Sequence, residues 1–180
     1  MLVPAVAGYL LGSIPTAVIV GHRRRVDLRR VGDRNPGWWN AKEELGSRAA
    51  APILGVDVAK GAIAAGIGRA VARPGEWWVG YLGGAAAMVG HAWPLFAGFR
   101  GGRSVATLGG VAGVVAPLSA AVAITFGTVT GRFAGSAASG IQFGYAAYPV
   151  VQLVAEGPRR TAATGALMSI VGLRFWMARR

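Results

Sequence analysis

One short segment of the chain combines residue types that suit an anion. Arg100 and Arg103 flank Gly101 and Gly102, and Ser104 then begins a long stretch without charge. Two glycines let the backbone approach a ligand, guanidinium groups offer paired donors to phosphate oxygens, and a following helix presents unpaired N–H groups at its N-terminus. The segment therefore indicates a phosphate site. A short basic loop that only contacts anionic lipid headgroups is the alternative.

Four polar residues fall inside apolar stretches, where a charged group costs on the order of 3 kcal/mol and needs a partner. Asp57 and Lys60 share one face of a helix, so they can pair. At about 1.5 Å per residue, Asp57 and His91 lie about 10 and 12 Å from the same end of their helices, and Ser13 has a similar depth. Three helices thus place polar groups at one level, which predicts a shared pocket. The alternative is an ion pair that only braces the helices, beside a structural histidine.

The basic segment 22–49 contains a cluster of turn-forming residues. Asn35, Gly37 and Asn40 lie in it, together with the tryptophan pair 38–39. Asparagine, proline and glycine at this density are typical of turns and not of a helix. Such a loop exposes backbone N–H groups beside two amide side chains, which suits a polar headgroup. We interpret the tryptophans as an interfacial anchor.

The composition excludes a soluble protein. The 180 residues are 53% hydrophobic with a mean hydropathy of +0.46, and the 19 Lys and Arg outnumber the 7 Asp and Glu to give a net charge of +12. A nucleic-acid-binding protein can be this basic, but its sequence is not this apolar between the charges. The absence of cysteine from the sequence excludes disulfides, thiolate metal sites and a cysteine nucleophile.

The uncharged gaps predict an all-α fold, a polytopic transmembrane helix bundle of five to seven helices in a single integral-membrane domain, residues 1–180. A helix needs about 20 residues to cross the hydrocarbon core. Basic residues follow the first gap and do not precede it, so we interpret that gap as a retained helix and not as a cleaved signal peptide. Because Arg174 interrupts the last gap, whether that segment crosses stays open. The expected spans are 2–21, 50–72, 77–99, 104–129, 133–155 and, if it crosses, 161–178.

The loops suggest an orientation, because cytoplasmic loops carry an excess of Lys and Arg. With the N-terminus outside and one crossing for each expected span, 22–49, 100–103 and 159–160 face the cytoplasm. Arg132 and Arg174 then fall on the outer side. We therefore expect a multi-pass protein of the bacterial plasma (inner) membrane, with its polar pocket facing the cytoplasm.

Glycine is abundant, with 29 residues, and several pairs have the GxxxG spacing that permits close helix packing in lipid. We interpret these pairs as packing contacts. They are Gly8/Gly12, Gly80/Gly84, Gly109/Gly113 and Gly140/Gly144.

Taken together, these segments resemble the PlsY family of bacterial membrane acyltransferases. Residues 90–107 read GHAWPLFAGFRGGRSVAT, and the family pattern is GHxxPxFxxFxGGKGVAT. Residues 12–17 are similar to the first-helix segment GSIPTA, and residues 57–61 match DxxKG. Asn35-x-Gly37-x-x-Asn40 fits the family's SGNxGATN. The resemblance covers roughly residues 8–107.

The chain departs from the family pattern at several positions. Asp33-Arg34 stands where the family has Ser-Gly, and Trp38-Trp39 replaces Ala-Thr. Glu43 replaces an arginine, Arg103 replaces the phosphate-binding lysine, and Ser104 replaces a glycine. The family's C-terminal segment HRxNIxRLxxGxE has no counterpart. These departures put retained activity in question.

The resemblance implies transfer of an acyl group from acyl phosphate to the sn-1 hydroxyl of glycerol-3-phosphate, giving lysophosphatidate for phospholipid biosynthesis. Acyl phosphate is already activated, so we expect no metal and no cofactor. Membrane lipids are the other expected partners, nucleic acid is not one, and the oligomeric state stays open. His91 and Asp33 are the candidate proton acceptors. The residues assigned to substrate binding are Ser13, Asn35, Gly37, Asn40, Asp57, Lys60, Arg100, Gly101, Gly102, Arg103, Ser104 and Thr107.

Two other functions compete with this one. A catalytically impaired relative would bind a lipid or phosphate ligand in the membrane without turnover. A small-solute transporter is disfavoured, because the sequence has no inverted repeat or pair of broken helices of the kind transporters use.

Overall fold

The computed structural model describes residues 1–178, and this part of the chain is helical. It contains nine α-helices and a short 3-10 turn at Leu95–Ala97. The helices are α1 (Leu2–Gly12), α2 (Thr16–Arg23), α3 (Trp38–Leu45), α4 (Ser47–Val71), α5 (Trp78–Ala92), α6 (Val105–Val115), α7 (Pro117–Phe133), α8 (Ala137–Glu156) and α9 (Pro158–Met177).

The first apolar run is interrupted and forms two helices. Helix α1 ends at Gly12, and α2 begins only after Pro15. Proline has no N–H to donate, and it disfavours a helical conformation at the preceding residue, Ile14. The Ile14 carbonyl is thereby free of the helix, and it accepts a hydrogen bond from Lys60 Nζ at 3.4 Å.

Most of the GxxxG pairs do form close helix contacts. A Cβ on Gly8 or Gly12 of α1 would overlap the backbone of α5, and one on Gly84 would overlap Val111 of α6. Gly109 and Gly113 differ, because a Cβ at either position would meet open space. The packing interpretation is therefore wrong for that pair. These glycines lie on an outer face of α6 and leave it without side chains.

The uncharged run 104–131 is divided by a reversal of the chain. Ala116 leaves helical geometry at φ −148° and ψ 65°, and Pro117 starts α7. Helix α7 then packs antiparallel to α8, with Gly127 against Gly140 and Ala123 against Gly144. Proline suits the first turn of a helix but cannot continue one, which explains the break.

This reversal changes where two arginines lie. Arg132, at the end of α7, borders the same groove as Trp38 of the basic loop. Arg174, near the end of α9, contacts the carbonyls of Gly101 and Gly102. The expectation that Arg132 and Arg174 lie at the opposite end from the basic loops is wrong, because 104–131 forms two helices and not one. For the same reason the expectation that 159–160 lies with the basic loops is wrong, since Arg160 contacts Trp77 at the other end of α5.

The outer surface of the bundle is apolar. Residues 2–23 and Ser47–Val71 are long and apolar enough to cross a membrane, with mean hydropathies of 1.8 and 1.5. The core helix of a soluble protein can also meet that criterion. The exposed side chains add a second observation. Large hydrophobic residues are exposed on α1, α4, α7, α8 and α9, among them Phe133 at 90% and Val154 at 87%, and exposed apolar side chains in this number suit lipid.

Candidate functional site

The Arg100–Arg103 loop lies flat across the end of α5. The Gly102 N–H donates to the His91 carbonyl at 3.1 Å. A Cβ on Gly102 would overlap the His91 ring, and one on Gly101 would overlap the His91 carbonyl and the Pro94 ring. Packing against α5 therefore already requires both glycines, independently of any ligand.

Behind this loop, helices α4 and α5 bring three titratable side chains into contact. Lys60 Nζ lies 2.8 Å from Asp57 Oδ1, and His91 Nδ1 lies 3.6 Å from the same oxygen. Asp57 is 2%, Lys60 3% and His91 7% exposed. They border a cavity of about 20 Å³ that Arg100 and Gly102 also line, which is room for about one water molecule. This inner cluster is closed to a substrate and supports the loop from beneath.

Arg103 is a cationic group of the site whose side chain is 20% exposed. Its Nη1 lies 2.7 Å from Asp33 Oδ2, and its guanidinium stacks on the ring of Phe175 with 4.6 Å between group and ring centre. Arg103 Nε is buried and has no hydrogen-bond partner among residues 1–178. Asp33 also accepts from the Asn35 N–H at 3.0 Å, which closes a turn. A carboxylate thus occupies one edge of Arg103, and this is the kind of group for which an anionic ligand would compete.

Asn40 organises the basic segment from within helix α3. The prediction of turns and not a helix is therefore wrong from Trp38 onward, where α3 begins. Its side-chain amide donates to the carbonyls of Leu28 at 2.9 Å and Val31 at 3.1 Å, and its Oδ1 accepts from the Asp33 N–H at 3.3 Å. Asn40 is fully buried. The amide therefore holds Asp33 in front of Arg103 and does not itself face the mouth of the site. Gly37, at the start of α3, packs against the Asn35 amide.

An exposed ion pair closes the first turn of this loop. Arg29 donates to both carboxylate oxygens of Asp27, at 2.8 and 3.0 Å. These side-chain hydrogen bonds, with one from the Arg29 backbone N–H, lower the pKa of Asp27 to about 2. Because the folded-state pKa is depressed, any stability from this pair is present above the ordinary pKa of 3.8 and is lost only as the pH falls towards 2.

The three remaining predicted site residues, Ser13, Ser104 and Thr107, are buried at the ends of helices. Ser104 has φ +62°, a conformation that glycine adopts more readily, and its hydroxyl donates to the Met88 carbonyl at 2.8 Å. Ser13 Oγ accepts from the Leu95 N–H at 3.3 Å. Thr107 Oγ1 has no partner within the described part of the chain. Ser13 and Ser104 thus fix the two ends of the segment that carries the loop.

Arg174 of α9 is a site residue that the sequence patterns did not select. Its Nη2 donates to the Gly101 carbonyl at 2.6 Å and its Nε to the Gly102 carbonyl at 3.1 Å. The guanidinium also stacks on Trp93 at 5.3 Å. An arginine inside an otherwise apolar stretch was the available signal, since such a residue needs buried partners.

An apolar groove of about 650 Å³ runs beside the site between α6, α7 and α8. Val105, two residues after Arg103, lines it together with Leu108, Gly109 and Tyr145. Two residues of chain span at most about 7 Å, so the groove begins close to the arginine. The arrangement can hold an anion beside a long apolar tail.

Comparison with known proteins gives consistent matches. A family model described as glycerol-3-phosphate acyltransferase matches residues 2–179. The glycerol-3-phosphate acyltransferase of Symbiobacterium thermophilum is 42% identical over 126 residues, 69% of this chain and 61% of the relative. That of Halalkalibacterium halodurans is 38% identical over 119 residues, 66% of this chain and 58% of the relative. The chain thus spans about three fifths of the length of these relatives.

Solved structures match over a larger share of both chains. The crystal structure of PlsY (YgiH), an integral membrane glycerol 3-phosphate acyltransferase, in its glycerol 3-phosphate form superposes with a TM-score of 0.86 at 28% identity. The match covers 96% of this chain and 86% of that one. The lysophosphatidic acid form matches with a TM-score of 0.83 at 26% identity over the same shares.

Proposed function

The chain belongs to the glycerol-3-phosphate acyltransferase family, and we propose that it transfers a fatty acyl group from acyl phosphate to the sn-1 hydroxyl of glycerol-3-phosphate. The observation that carries this proposal is the position of Arg103. It lies at the end of the Arg100–Arg103 loop, called the glycine loop below, and two residues from the start of the apolar groove. Both proposed substrates carry phosphate, and one also carries a long apolar tail.

The reaction needs one bond exchange and one proton transfer. The hydroxyl oxygen of glycerol-3-phosphate attacks the acyl carbonyl carbon, and the carbon–oxygen bond to phosphate breaks. Phosphate leaves with the electron pair, and the hydroxyl proton passes to a base. The protein must therefore hold the reactants together, stabilise negative charge on phosphate and accept or relay a proton.

We assign phosphate binding to Arg103, assisted by Arg100 at the rim and the N-terminus of α6. Guanidinium groups suit phosphate because they present two parallel donors. The Gly102 N–H is already bonded to His91, so in this assignment Gly101 and Gly102 shape the loop more than they donate to the ligand.

The other predicted residues have supporting roles in this proposal. Asn35 and Gly37 shape the turn that faces the glycerol moiety. The buried group keeps the loop and the helix ends in place beneath the substrate, and it consists of Ser13, Asn40, Asp57, Lys60, Ser104 and Thr107.

We place the site on the cytoplasmic face of the bacterial plasma membrane, with the N-terminus outside. Family membership supports an all-helical membrane protein. The reversal at Ala116 brings Arg132 and Arg174 to the end of the bundle that carries the basic loop and moves Arg159 and Arg160 away from it, so the excess of positive charge at that end is kept. Arg160, which stacks on Trp77, lies at the opposite end.

The test of the function is acyl transfer by the purified chain in liposomes. Hexadecanoyl phosphate and glycerol-3-phosphate are supplied, with hexadecanoyl-CoA as the control donor, and lysophosphatidate is measured. Formation of lysophosphatidate from acyl phosphate supports the proposal. If a folded sample forms no lysophosphatidate from either donor, the proposal is wrong. Sealed vesicles of known orientation report the side of the site, because glycerol-3-phosphate is charged and does not cross the bilayer.

A catalytically impaired relative that only binds ligand is the second candidate. The observation that favours it is the Asp33 carboxylate on Arg103, since this ion pair competes with a phosphate. Binding of glycerol-3-phosphate by a sample that gives no turnover would support this candidate.

Replacing Asp33 by asparagine separates its two possible roles. Asp33 faces the mouth of the site, whereas His91 is buried behind Gly102. If Asp33 is a counter-ion of Arg103, Asp33→Asn frees the guanidinium and lowers the KM for glycerol-3-phosphate severalfold at unchanged kcat, and this is the result we expect. If Asp33 is the base, kcat falls by about 100-fold or more. Steady-state kinetics with the second substrate saturating distinguish the two.

Narrowing the apolar groove is expected to shorten the acyl chain that the protein accepts. Gly109 lines the groove, and a side chain there would meet open space. In Gly109→Leu, the leucine would take the place of about two methylenes of the tail. At about 0.8 kcal/mol per buried methylene, kcat/KM for hexadecanoyl phosphate falls about tenfold relative to dodecanoyl phosphate.

Gly113→Leu is the matched control for this prediction. Gly113 lies one turn further along α6, is equally open and does not line the groove. Both substitutions gain similar helix propensity. An unchanged preference in Gly109→Leu, or the same change in both variants, contradicts the placement of the tail.

A further inference from the structure

Helix α9 contributes Arg174 to the site, and this arginine donates hydrogen bonds to two backbone carbonyls of the Arg100–Arg103 loop. We propose that Arg174 is a positioning residue of the phosphate site, which fixes the Gly101–Gly102 backbone and thereby the direction of Arg103. The proposal rests on the proposed function, because it concerns the phosphate ligand of that site. No pattern in the sequence assigns this residue a role, and its expected position was at the opposite end of the bundle.

Arg174 fixes the orientation of two successive peptide groups. Arg174 binds successive carbonyls, those of Gly101 and Gly102, through two different nitrogens. In a planar trans peptide the N–H points away from the carbonyl. Fixing these carbonyls towards α9 therefore directs the N–H groups of Gly102 and Arg103 away from it. The Gly102 N–H meets the His91 carbonyl as a result, and the backbone of Arg103 is oriented from both sides.

Helix α9 also contacts the side chain of Arg103. Phe175, the neighbour of Arg174, packs against the Arg103 guanidinium. Two consecutive residues of α9 thus set both the backbone and the side chain of Arg103. A lysine at position 174 keeps the charge and has three donors on one nitrogen, but it lacks the rigid planar fork that meets the two carbonyls through separate nitrogens.

Repulsion between the guanidinium groups of Arg174 and Arg103 also affects which ligand can bind. Arg174 binds the carbonyl of Gly102, which precedes Arg103, and the next residue, Phe175, packs on the Arg103 guanidinium, so the two cations lie near one another. Like charges brought together in a half-buried site are costly without a counter-ion. Asp33 contacts Arg103 but has no contact with Arg174 in the structure. The pair of guanidinium groups therefore favours a ligand with more than one negative charge, which fits a phosphate monoester dianion.

Arg160 provides a matched control on the same helix. It stacks on Trp77 near the start of α5 at 5.7 Å, as Arg174 stacks on Trp93 just beyond its end at 5.3 Å. Arg160 also pairs with Glu156. Both arginines dock α9 on α5, but only Arg174 contacts the glycine loop. A merely structural role predicts equal effects of Arg174→Ala and Arg160→Ala.

The experiment measures glycerol-3-phosphate affinity and steady-state kinetics for the wild type, Arg174→Ala, Arg174→Lys and Arg160→Ala. We expect Arg174→Ala to raise both the Kd and the KM for glycerol-3-phosphate at least tenfold, with kcat changed less than threefold. Arg174→Lys should fall between the wild type and the alanine variant. Added guanidinium ion, at tens of millimolar, should restore part of the affinity of Arg174→Ala and leave Arg160→Ala unchanged. The two alanine variants should have similar thermal midpoints.

Equal affinities in Arg174→Ala and Arg160→Ala, or no recovery with guanidinium, would overturn the inference. Failure of the proposed function is distinguishable from this. A wild type that binds glycerol-3-phosphate through Arg174 but transfers no acyl group refutes acyl transfer and leaves the inference standing. A wild type that turns over while Arg174→Ala keeps its affinity refutes only the inference. A wild type that neither binds nor turns over refutes both.

Discussion

Replacing Arg103 by alanine is expected to lower kcat/KM for acyl transfer by about 100- to 1,000-fold, the loss typical when one donor to a developing charge is removed. The Arg103 guanidinium is partly exposed beside Asp33, and its Nε is a buried donor that no group in residues 1–178 satisfies. A phosphate oxygen that reached this nitrogen would gain a charge-assisted hydrogen bond. Steady-state assays with both phosphate substrates varied in turn measure the loss.

Two further variants make this prediction specific. Arg48→Ala removes the same charge from an exposed position at the start of α4, and we expect its kcat/KM to stay within about twofold of the wild type. Arg103→Lys keeps the charge but loses the paired donors, so it should retain part of the activity. An Arg103→Ala variant that is as active as Arg48→Ala would remove the phosphate assignment.

The contacts among Asp57, Lys60 and His91, the inner cluster, could be predicted from how far polar residues lie from the ends of their helices. Ser13, Asp57 and His91 were expected at one depth because their distances from a common end of three helices agree, and Lys60 was expected to pair with Asp57 on one helix face. The structure brings Asp57, Lys60 and His91 into contact. The cost of an isolated charge in an apolar stretch makes such residues informative. What the spacing could not show is that the cluster is closed, because side-chain packing and not depth decides the size of a cavity.

The limits of the sequence interpretation have identifiable causes. Gaps between charges locate apolar chain, but they do not show where it reverses. The reversal at Ala116 depends on the proline at position 117, which the charge pattern does not register. The resulting direction of α9 decides where Arg174 lies. Its role was invisible because its partners are backbone carbonyls, which every residue has.

The glycine loop illustrates a different limit. Gly101 and Gly102 were interpreted as glycines that admit a ligand, and the structure shows that the His91 ring and carbonyl already exclude a side chain at both. A glycine beside a site can be required either because a ligand approaches its backbone or because another part of the protein packs against it. Sequence alone does not separate these two explanations. Ser104 shows the converse, because it adopts a left-handed conformation and its hydroxyl gains a bond to Met88 in return.

The largest stability effect is expected at Asp57. Its carboxylate is the acidic partner of Lys60, and both side chains are 3% exposed. Among residues 1–178, Asp57→Ala leaves the buried ammonium of Lys60 with the Ile14 carbonyl, at 3.4 Å, as its remaining hydrogen-bond partner. We therefore expect a loss of about 3–5 kcal/mol in the free energy of unfolding. Unfolding in mixed detergent micelles by added SDS measures this change.

Removing both partners should be far less costly than removing one, because most of the loss comes from the uncompensated charge and not from the missing ion pair. We therefore expect Asp57→Ala with Lys60→Met to recover most of the stability, with a coupling energy of about 2 kcal/mol or more. Asp27→Ala is the matched control, since its pair with Arg29 is about one third exposed and should contribute less than about 1 kcal/mol. Additive losses at Asp57 and Lys60 would mean that the two side chains stabilise the bundle separately. The double variant also tests whether the inner cluster takes part in the reaction. A stable double variant that transfers no acyl group would show that the cluster does more than hold the helices together.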